Sequence, residues 1–371
     1  MADIQIRRVT LYQVQVPLKK PFITHLQHVK ERESILVEVE DVDGTIGVGE
    51  CVAFSSPWYT EETVETAWLA LEKWIIPIVL KQTFNHPDDM DACLSHIKRN
   101  HMAKSCMNQA IWDIYAKKMN LPLWQVIGGT NQSIEAGIVV ASSRERDMME
   151  DIESAISNGY KRVKVKISRN SDPILLKKII GEYPETLFFA DANGDFTDSD
   201  IEQLRLFDDS GFTLIEQPFS EYDNKVSAKA QKLMKTPFAL DESISSIQDV
   251  EDLIERQSGK IVVMKQGRVG GLSNALRIHD LCLKANVPLW VGGMIEFGVS
   301  KAFNLAFASL PGVKFPGDFS TSTHFWHEDL AIPDVEVRGG KIKLSMEPGI
   351  GYTWNHESIK KNKIKYKQFK S

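Results

Sequence analysis

Five ionisable residues recur along the second half of the chain at a nearly constant interval. Lys166, Asp191, Glu216, Asp241 and Lys265 are separated by 25, 25, 25 and 24 residues. Each closes a short apolar run, as Leu187-Phe188-Phe189-Ala190 does before Asp191. One charged residue at such a place commonly marks where a strand reaches water. Three acids between two lysines, all in register, ask for a shared chemistry. Converging carboxylates repel one another unless a cation neutralises them. All-oxygen ligands suit a hard divalent ion, and magnesium keeps positions open for water or substrate; manganese (Mn2+) is the alternative to Mg2+. No loop has the closely spaced ligands that calcium takes. Asn193, Gln217 and Ser243 stand one or two residues beyond the acids, where they can hydrogen-bond behind the ligands.

The lysines take roles by geometry. Lys164 and Lys166 are two apart, so on a strand both point to one side. Lys265 comes from a strand beyond the carboxylates, and a substrate carboxylate on the ion would lie between Lys166 and Lys265. A lysine acting as base near pH 7 must fall by about 3 from its ordinary ~10.4, a cost of about 4 kcal/mol. A divalent ion and the Lys164 ammonium both push Lys166 that way. The metal would stabilise the dianion formed when the α-proton leaves. A lysine base with magnesium is a pairing already known from enolate-forming enzymes.

Positioning these residues requires repeated strand–helix units. From about residue 134, apolar runs alternate with helical patterns: Glu135–Ala141, Arg162–Ile167, Leu187–Ala190, Thr213–Ile215, Phe238–Leu240, Lys260–Met264 and Pro288–Val291. A weaker eighth run is Val313–Pro316. Between the sixth and seventh, Ala275, Ile278, Leu281, Cys282 and Ala285 line one helix face. This alternation predicts parallel strands joined by crossover helices and closed into a barrel, whose C-terminal strand ends form the active face. The first third differs. Ile4–Val16, Ser34–Glu40 and Thr45–Val52 read as strands, with a tight turn at Asp43-Gly44. Helices are predicted near 61–73, 87–99 and 104–119. Strands and helices in blocks indicate an α+β unit, and the rhythm changes after Gly128-Gly129. The last 35 residues turn polar, with strand-like runs that suggest a return to the first unit.

Composition excludes several classes. The 371 residues are 43% hydrophobic and 25% charged, with formal net charge −6, which offers no general attraction for nucleic acid. Lys360, Lys361, Lys363, Lys365, Lys367 and Lys370 read as a solvated tail. Cys51, Cys93, Cys106 and Cys282 are scattered, so neither a zinc site nor a disulfide framework is expected, and reduced thiols suit a cytoplasmic protein. Met1–Thr10 has no apolar leader core. The longest apolar run, Trp74–Leu80, is far short of the ~20 residues of a membrane helix.

At the ladder residues the sequence resembles the enolase superfamily, in its muconate-lactonising-like group. Lys164-Val165-Lys166 is similar to that group's K-x-K motif, with Lys166 as base. Asp191-Ala192-Asn193, Glu216-Gln217-Pro218 and Asp241-Glu242-Ser243 are similar to its metal-ligand contexts, and Lys265 to its opposing lysine. Lys265-Gln266-Gly267-Arg268-Val269-Gly270-Gly271 resembles the K-x-G-R-x-G-G signature of the o-succinylbenzoate synthase / N-succinylamino acid racemase family, in which such an arginine goes with the racemase-containing subgroup. Gly292-Gly293-Met294-Ile295-Glu296 and Pro316-Gly317-Asp318 resemble its seventh and eighth strand ends. Gln266, where proline is common, and Phe297, where a small or polar residue is usual, depart from the pattern and bear on substrate rather than chemistry.

The resemblance implies a (β/α)7β-type modified TIM barrel with an N-terminal α+β capping domain completed by the C-terminal tail. The expected boundaries are 1–125 for the cap, 126–335 for the barrel and 336–371 for the returning segment. It implies a magnesium enzyme for a small carboxylate with a succinyl group. The synthase would lose water from a cyclohexadiene carboxylate in menaquinone biosynthesis; the racemase would exchange protons on an N-succinylamino acid. It also implies a homo-oligomer. Dipeptide epimerase and muconate cycloisomerase remain alternatives, as do a Schiff-base aldolase using Lys265 and a non-catalytic ligand-binding barrel.

Loops 20–25 and 54–59 could close over the site. Phe22, Thr24, Phe54 and Trp58, with Met294 and Glu296, are the expected substrate contacts, and Arg268 a supporting group. His324-x-x-His327 has helical spacing for two metal ligands but lacks a third, and reads as surface or loop. Gly267, Gly270 and Gly271 read as close packing, since no P-loop or dinucleotide fingerprint is present.

Overall fold

The computed structural model describes residues 3–23, 27–141 and 144–371. Its N-terminal sheet is the antiparallel set β1 (Ile4–Ile23), β2 (His28–Asp41) and β3 (Ile46–Cys51). The Asp43-Gly44 turn joins the last two. One face of the sheet is covered by helix α1 (His101–Lys118), whose side chains are mostly buried. The helix expected near 87–99 is only the short Asp89–Cys93. It stops at Leu94, and Arg99 and Asn100 take left-handed φ values of 51° and 54°, which a continuous right-handed helix cannot contain.

The barrel strands are β4 (Ser133–Val140), β5 (Arg162–Lys166), β6 (Leu187–Asp191), β7 (Leu214–Glu216), β8 (Phe238–Leu240), β9 (Ile261–Met264), β10 (Leu289–Val291) and β11 (Gly317–Asp318). They run parallel in the order β10-β9-β8-β7-β6-β5-β4-β11, and a bridge from Leu289 to Val313 draws the two ends together. The eighth strand is Gly317–Asp318, directly after the apolar run Val313–Pro316 and within the Pro316-Gly317-Asp318 segment that resembles an eighth strand end. Pairing with Ala136 and Gly137 of β4 selects it, and that partner is distant in sequence. The barrel floor is an apolar plug of Phe189, Leu214, Ala239, Ile261, Val263 and Trp290.

The two units meet along a tight seam. A Cβ at Gly267 would approach Val52 Cγ2 to 2.4 Å, and one at Gly271, φ +123°, would approach Asn108 Cβ to 2.8 Å. The glycines after β9 thus let the barrel dock on β3 and α1. Asn108 also donates to Ser273 Oγ at 3.0 Å. Arg32, fully buried, donates to the carbonyls of Val52 and Ala53 at 2.6 Å and of Ile295 at 3.2 Å. Glu50 accepts from Phe297 N at 2.9 Å and Ser300 N at 3.0 Å, at the start of helix α2 (Gly298–Ala308).

The C-terminal residues do not form a free tail. Lys341–Lys343 pairs antiparallel with the start of β4. The lysine-rich end is strand β12 (Lys363–Lys370), antiparallel to β1. Its side chains are mostly exposed while its main chain is held in the sheet. Among the described residues no helix is long and apolar enough to cross a membrane, and the four cysteines are free thiols.

Candidate active site

β-register brings the ladder together. Lys166 pairs with Asp191, and Asp191 with Glu216, at one level of adjacent parallel strands. Asp241 directly follows β8 and Lys265 directly follows β9. Lys166 stands on the second of eight strands and Lys265 after the sixth, so the two lysines face each other across the barrel with the acids along one arc between them.

Each carboxylate is buried and met by a cation. Lys166 Nζ lies 2.7 Å from Asp191 Oδ2 and 2.6 Å from Asn193 Oδ1. Lys164 Nζ lies 2.9 Å from Glu216 Oε2, 2.8 Å from Asp318 Oδ2 and 3.2 Å from Asp191 Oδ2. Lys265 Nζ lies 2.7 Å from Asp241 Oδ2, and Arg268 Nη2 lies 2.7 Å from Asp241 Oδ1. Burial raises Asp191 and Asp241, but their cations outweigh it and hold both below the usual carboxylate range. Glu216 goes the other way, pushed well up by burial and by the Asp191 charge. Burial pulls Lys164 and Lys265 down, yet the surrounding carboxylates hold both ammoniums above their ordinary value. The Lys164 ammonium is shared by three acids, Asp191, Glu216 and Asp318.

Two ladder positions are followed by strained backbone. Asn193 and Gln217 have φ of 42° and 35°, a conformation costing roughly 1–2 kcal/mol for an ordinary residue. The Gln217 side chain offsets this. Its Oε1 accepts from Asp241 N at 2.9 Å and Ser243 N at 3.2 Å, and its Nε2 donates to Ser243 Oγ at 2.8 Å and Phe219 O at 2.7 Å. It therefore fixes the end of β8 from the end of β7. Asn193 Nδ2 donates to Glu242 Oε1 at 2.9 Å.

The donor set fits a hard cation by chemistry. Glu216 Oε1 is buried without a hydrogen-bond partner, and a lone buried carboxylate oxygen is costly. Among the described residues no three acidic or histidine side chains form a ready-made ion cage, since the lysines interleave with the acids.

Above the acids opens a cavity of ≈ 1060 Å³ reached by Lys164, Lys166, Asp191, Asn193 and Lys265. Phe22, Phe54, Trp58, Met294 and Glu296 line it; Thr24 lies outside the described residues. Phe54 and Trp58 pack with ring centroids 4.6 Å apart. Glu296 accepts from Met294 N and, at 3.0 Å, from Asn304 Nδ2, so it shapes its own loop. His324 lies in a short helix, Ser322–Phe325, on the cavity wall, and His327 lies beyond that helix.

Sequence reading passed over two groups. Tyr59 accepts from Lys265 Nζ at 2.6 Å and Arg268 Nη1 at 2.7 Å, and donates to Asp241 Oδ2 at 3.2 Å. Its only signal was membership of loop 54–59. Asp318 takes Arg162 Nη2 at 2.7 Å and Lys164; its signal was the likeness of Pro316-Gly317-Asp318 to an eighth strand end, which placed it on the strand but gave it no role in the site.

Comparison with known proteins agrees with this architecture. The family pattern "Mandelate racemase / muconate lactonizing enzyme, N-terminal domain" matches residues 6–128, and "Enolase C-terminal domain-like" matches residues 147–358. The o-succinylbenzoate synthase of Bacillus subtilis is 42% identical over 96% of this chain and 96% of its own. The N-succinylamino acid racemase of Thermus thermophilus is 34% identical over 94% of each. A crystal structure of an enolase superfamily member from Listeria innocua superposes with TM-score 0.96 at 32% identity, covering 99% of both chains. The chain is an enzyme of the enolase superfamily and belongs to the family of o-succinylbenzoate synthases and N-succinylamino acid racemases.

Proposed function

We propose that this enzyme removes the proton α to a substrate carboxylate, acting as an o-succinylbenzoate synthase, an N-succinylamino acid racemase, or both. The observation that carries the reading is the placement of Lys166 and Lys265 on opposite sides of Asp191, Glu216 and Asp241, at the floor of one cavity. Asp191, Glu216 and Asp241 would hold a magnesium ion, which when bound supplies Lewis-acid stabilisation of negative charge on the substrate carboxylate.

The chain's own residues do the rest. The substrate α-carbon would lie between two lysine side chains, one acting as the free amine that takes a proton and the other as the ammonium that gives one, so each face has its own proton carrier. In racemisation one lysine takes the proton and the other delivers one to the opposite face. In dehydration Lys166 takes the α-proton and returns it to the departing hydroxyl, while Lys265 opposes the enolate charge. Asn193 holds Lys166, and Tyr59 and Arg268 hold Lys265 and Asp241 in place. Phe54 and Trp58 cover the site and exclude water.

The test is to assay both reactions with purified protein and magnesium. Turnover of dipeptides but not succinylated compounds would favour an epimerase. Borohydride trapping on Lys265, with activity surviving EDTA, would favour a Schiff-base aldolase. Failure to exchange any substrate α-proton with deuterated water would leave a binding protein.

A further inference from the structure

Glu242 is a half-buried acid that the chemistry above does not use. Its Oε1 accepts from Asn193 Nδ2 at 2.9 Å, while Oε2 is buried without a partner among the described residues. Asn193 stands two residues past β6 and Glu242 two past β8, so the contact crosses the end of β7. On its other side Asn193 Oδ1 accepts from Lys166 Nζ at 2.6 Å. One amide thus separates Glu242 from the proposed base. Charged or protonated on Oε2, Glu242 offers Asn193 an acceptor at Oε1. The amide must therefore turn its NH2 to Glu242 and its oxygen to Lys166. That choice decides what Lys166 can do. As a neutral amine it has two N–H groups and one lone pair. Asp191 Oδ2, at 2.7 Å, and Asn193 Oδ1 take the two N–H groups, which leaves the lone pair for the cavity that Lys166 lines. A turned amide would offer Lys166 an N–H instead and occupy the lone pair.

We propose that Glu242 is a positioning residue which, through Asn193, keeps the lone pair of Lys166 free to take a substrate proton. This rests on the reading above, in which Lys166 is the base on one face of the substrate. It also makes the two faces unequal. Glu242 serves the Lys166 face alone, because Lys265 is held separately by Tyr59 and Asp241.

The probes are the two enantiomers of N-succinylphenylalanine with magnesium, followed by α-proton exchange in deuterated water. Glu242→Ala should slow exchange of the enantiomer whose proton faces Lys166 by ~10- to 100-fold, the range for a hydrogen bond to a charged group. Exchange of the other enantiomer should change far less, as should KM and the magnesium needed for half-maximal rate. Glu242→Gln keeps an acceptor and should retain most of the rate. Asn193→Ala should reproduce the loss, and joining it to Glu242→Ala should add little, since both act through one amide. Equal slowing of both enantiomers, additive losses, or a raised magnesium requirement would overturn the proposal. A second readout needs no turnover. In protein carrying isotopically labelled asparagine, NMR identifies the Asn193 side-chain NH2 by its absence in Asn193→Ala. That group should exchange slowly with solvent in wild type and Glu242→Gln, and quickly in Glu242→Ala. Slow amide exchange in a protein that exchanges no substrate proton would sink the proposed reaction and keep the hold of Glu242 on Asn193; substrate exchange undiminished in Glu242→Ala would do the reverse.

Discussion

The hydroxyl of Tyr59 lies 2.6 Å from the ammonium of Lys265, across 206 residues of sequence. The N-terminal unit thereby supplies a group to the barrel's far lysine. That hydroxyl also meets Arg268 and Asp241, so one oxygen joins the N-terminal unit to a lysine, an arginine and a carboxylate of the barrel.

Replacing Tyr59 by phenylalanine should impair proton transfer mainly on the Lys265 face. Lost hydrogen bonds to charged groups are worth about 1.5–3 kcal/mol, so exchange of one enantiomer should slow by ~10-fold or more while the other changes less. Separate exchange rates for the two enantiomers check this; equal slowing would mean Tyr59 acts on cap closure alone.

Lys166→Ala and Lys265→Ala should each abolish racemisation, because each removes the only proton carrier proposed for one face. A Lys166→Ala protein that racemises at the wild-type rate would show that Lys166 is not the base. Folding, judged by circular dichroism, should survive both changes.

Chelation with EDTA should remove activity, and magnesium should restore it. Glu216→Gln should require higher magnesium for half-maximal activity, since it removes one of three charges from the ligand set. Magnesium titrations of wild type and variant read this directly, and activity indifferent to EDTA would refute the ion's role.

Glu50 makes stability depend on pH. Burial pushes its carboxyl up to about 8, against the two backbone N–H groups that favour the charged form. A folded value above the unfolded one means that its stabilising contribution is complete below about 4.5 and is lost as pH rises through about 8. Urea unfolding at pH 5, 7 and 9 should therefore show wild type losing stability relative to Glu50→Gln as pH rises. A constant difference between the two would mean that Glu50 is already ionised when folded at pH 5.

Gln217→Ala should cost about 1–3 kcal/mol of stability by leaving the Asp241 and Ser243 amides unpaired, and should lower turnover because Asp241 loses its tether. Thermal melting and kcat measure the two effects. Unaltered kcat with lowered stability would confine Gln217 to a structural role.

Much of this was legible because a parallel barrel writes one strand per period. Asp191, Glu216 and Asp241 end apolar runs at equal spacing, and equal spacing becomes adjacency once the strands pair. Gly317–Asp318 was legible only through the likeness of Pro316-Gly317-Asp318 to a known strand end, since two residues carry no alternation and pairing with Ala136–Gly137 makes them a strand. Lys363–Lys370 read as solvent-exposed, and its side chains mostly are; its place in the sheet depends on main-chain bonds to β1, to which side-chain chemistry is blind. Tyr59 could be placed in a covering loop but not at Lys265, because that contact depends on how two units dock.

Arg162, Lys164 and Lys166 occupy alternate positions of β5, with Val163 and Val165 between them. Each of the three cations meets acids on other strand ends: Asp318 for Arg162, Glu216, Asp318 and Asp191 for Lys164, and Asp191 for Lys166. A slip of β5 by one residue would turn all three charges toward the apolar helix layer and drive two valines among the carboxylates. The strand thus works as a key cut in charge, admitted to the barrel in one alignment only. Lys166 is the outermost tooth, and Arg162 and Lys164 beneath it are held to the same alignment by Asp318 and Glu216.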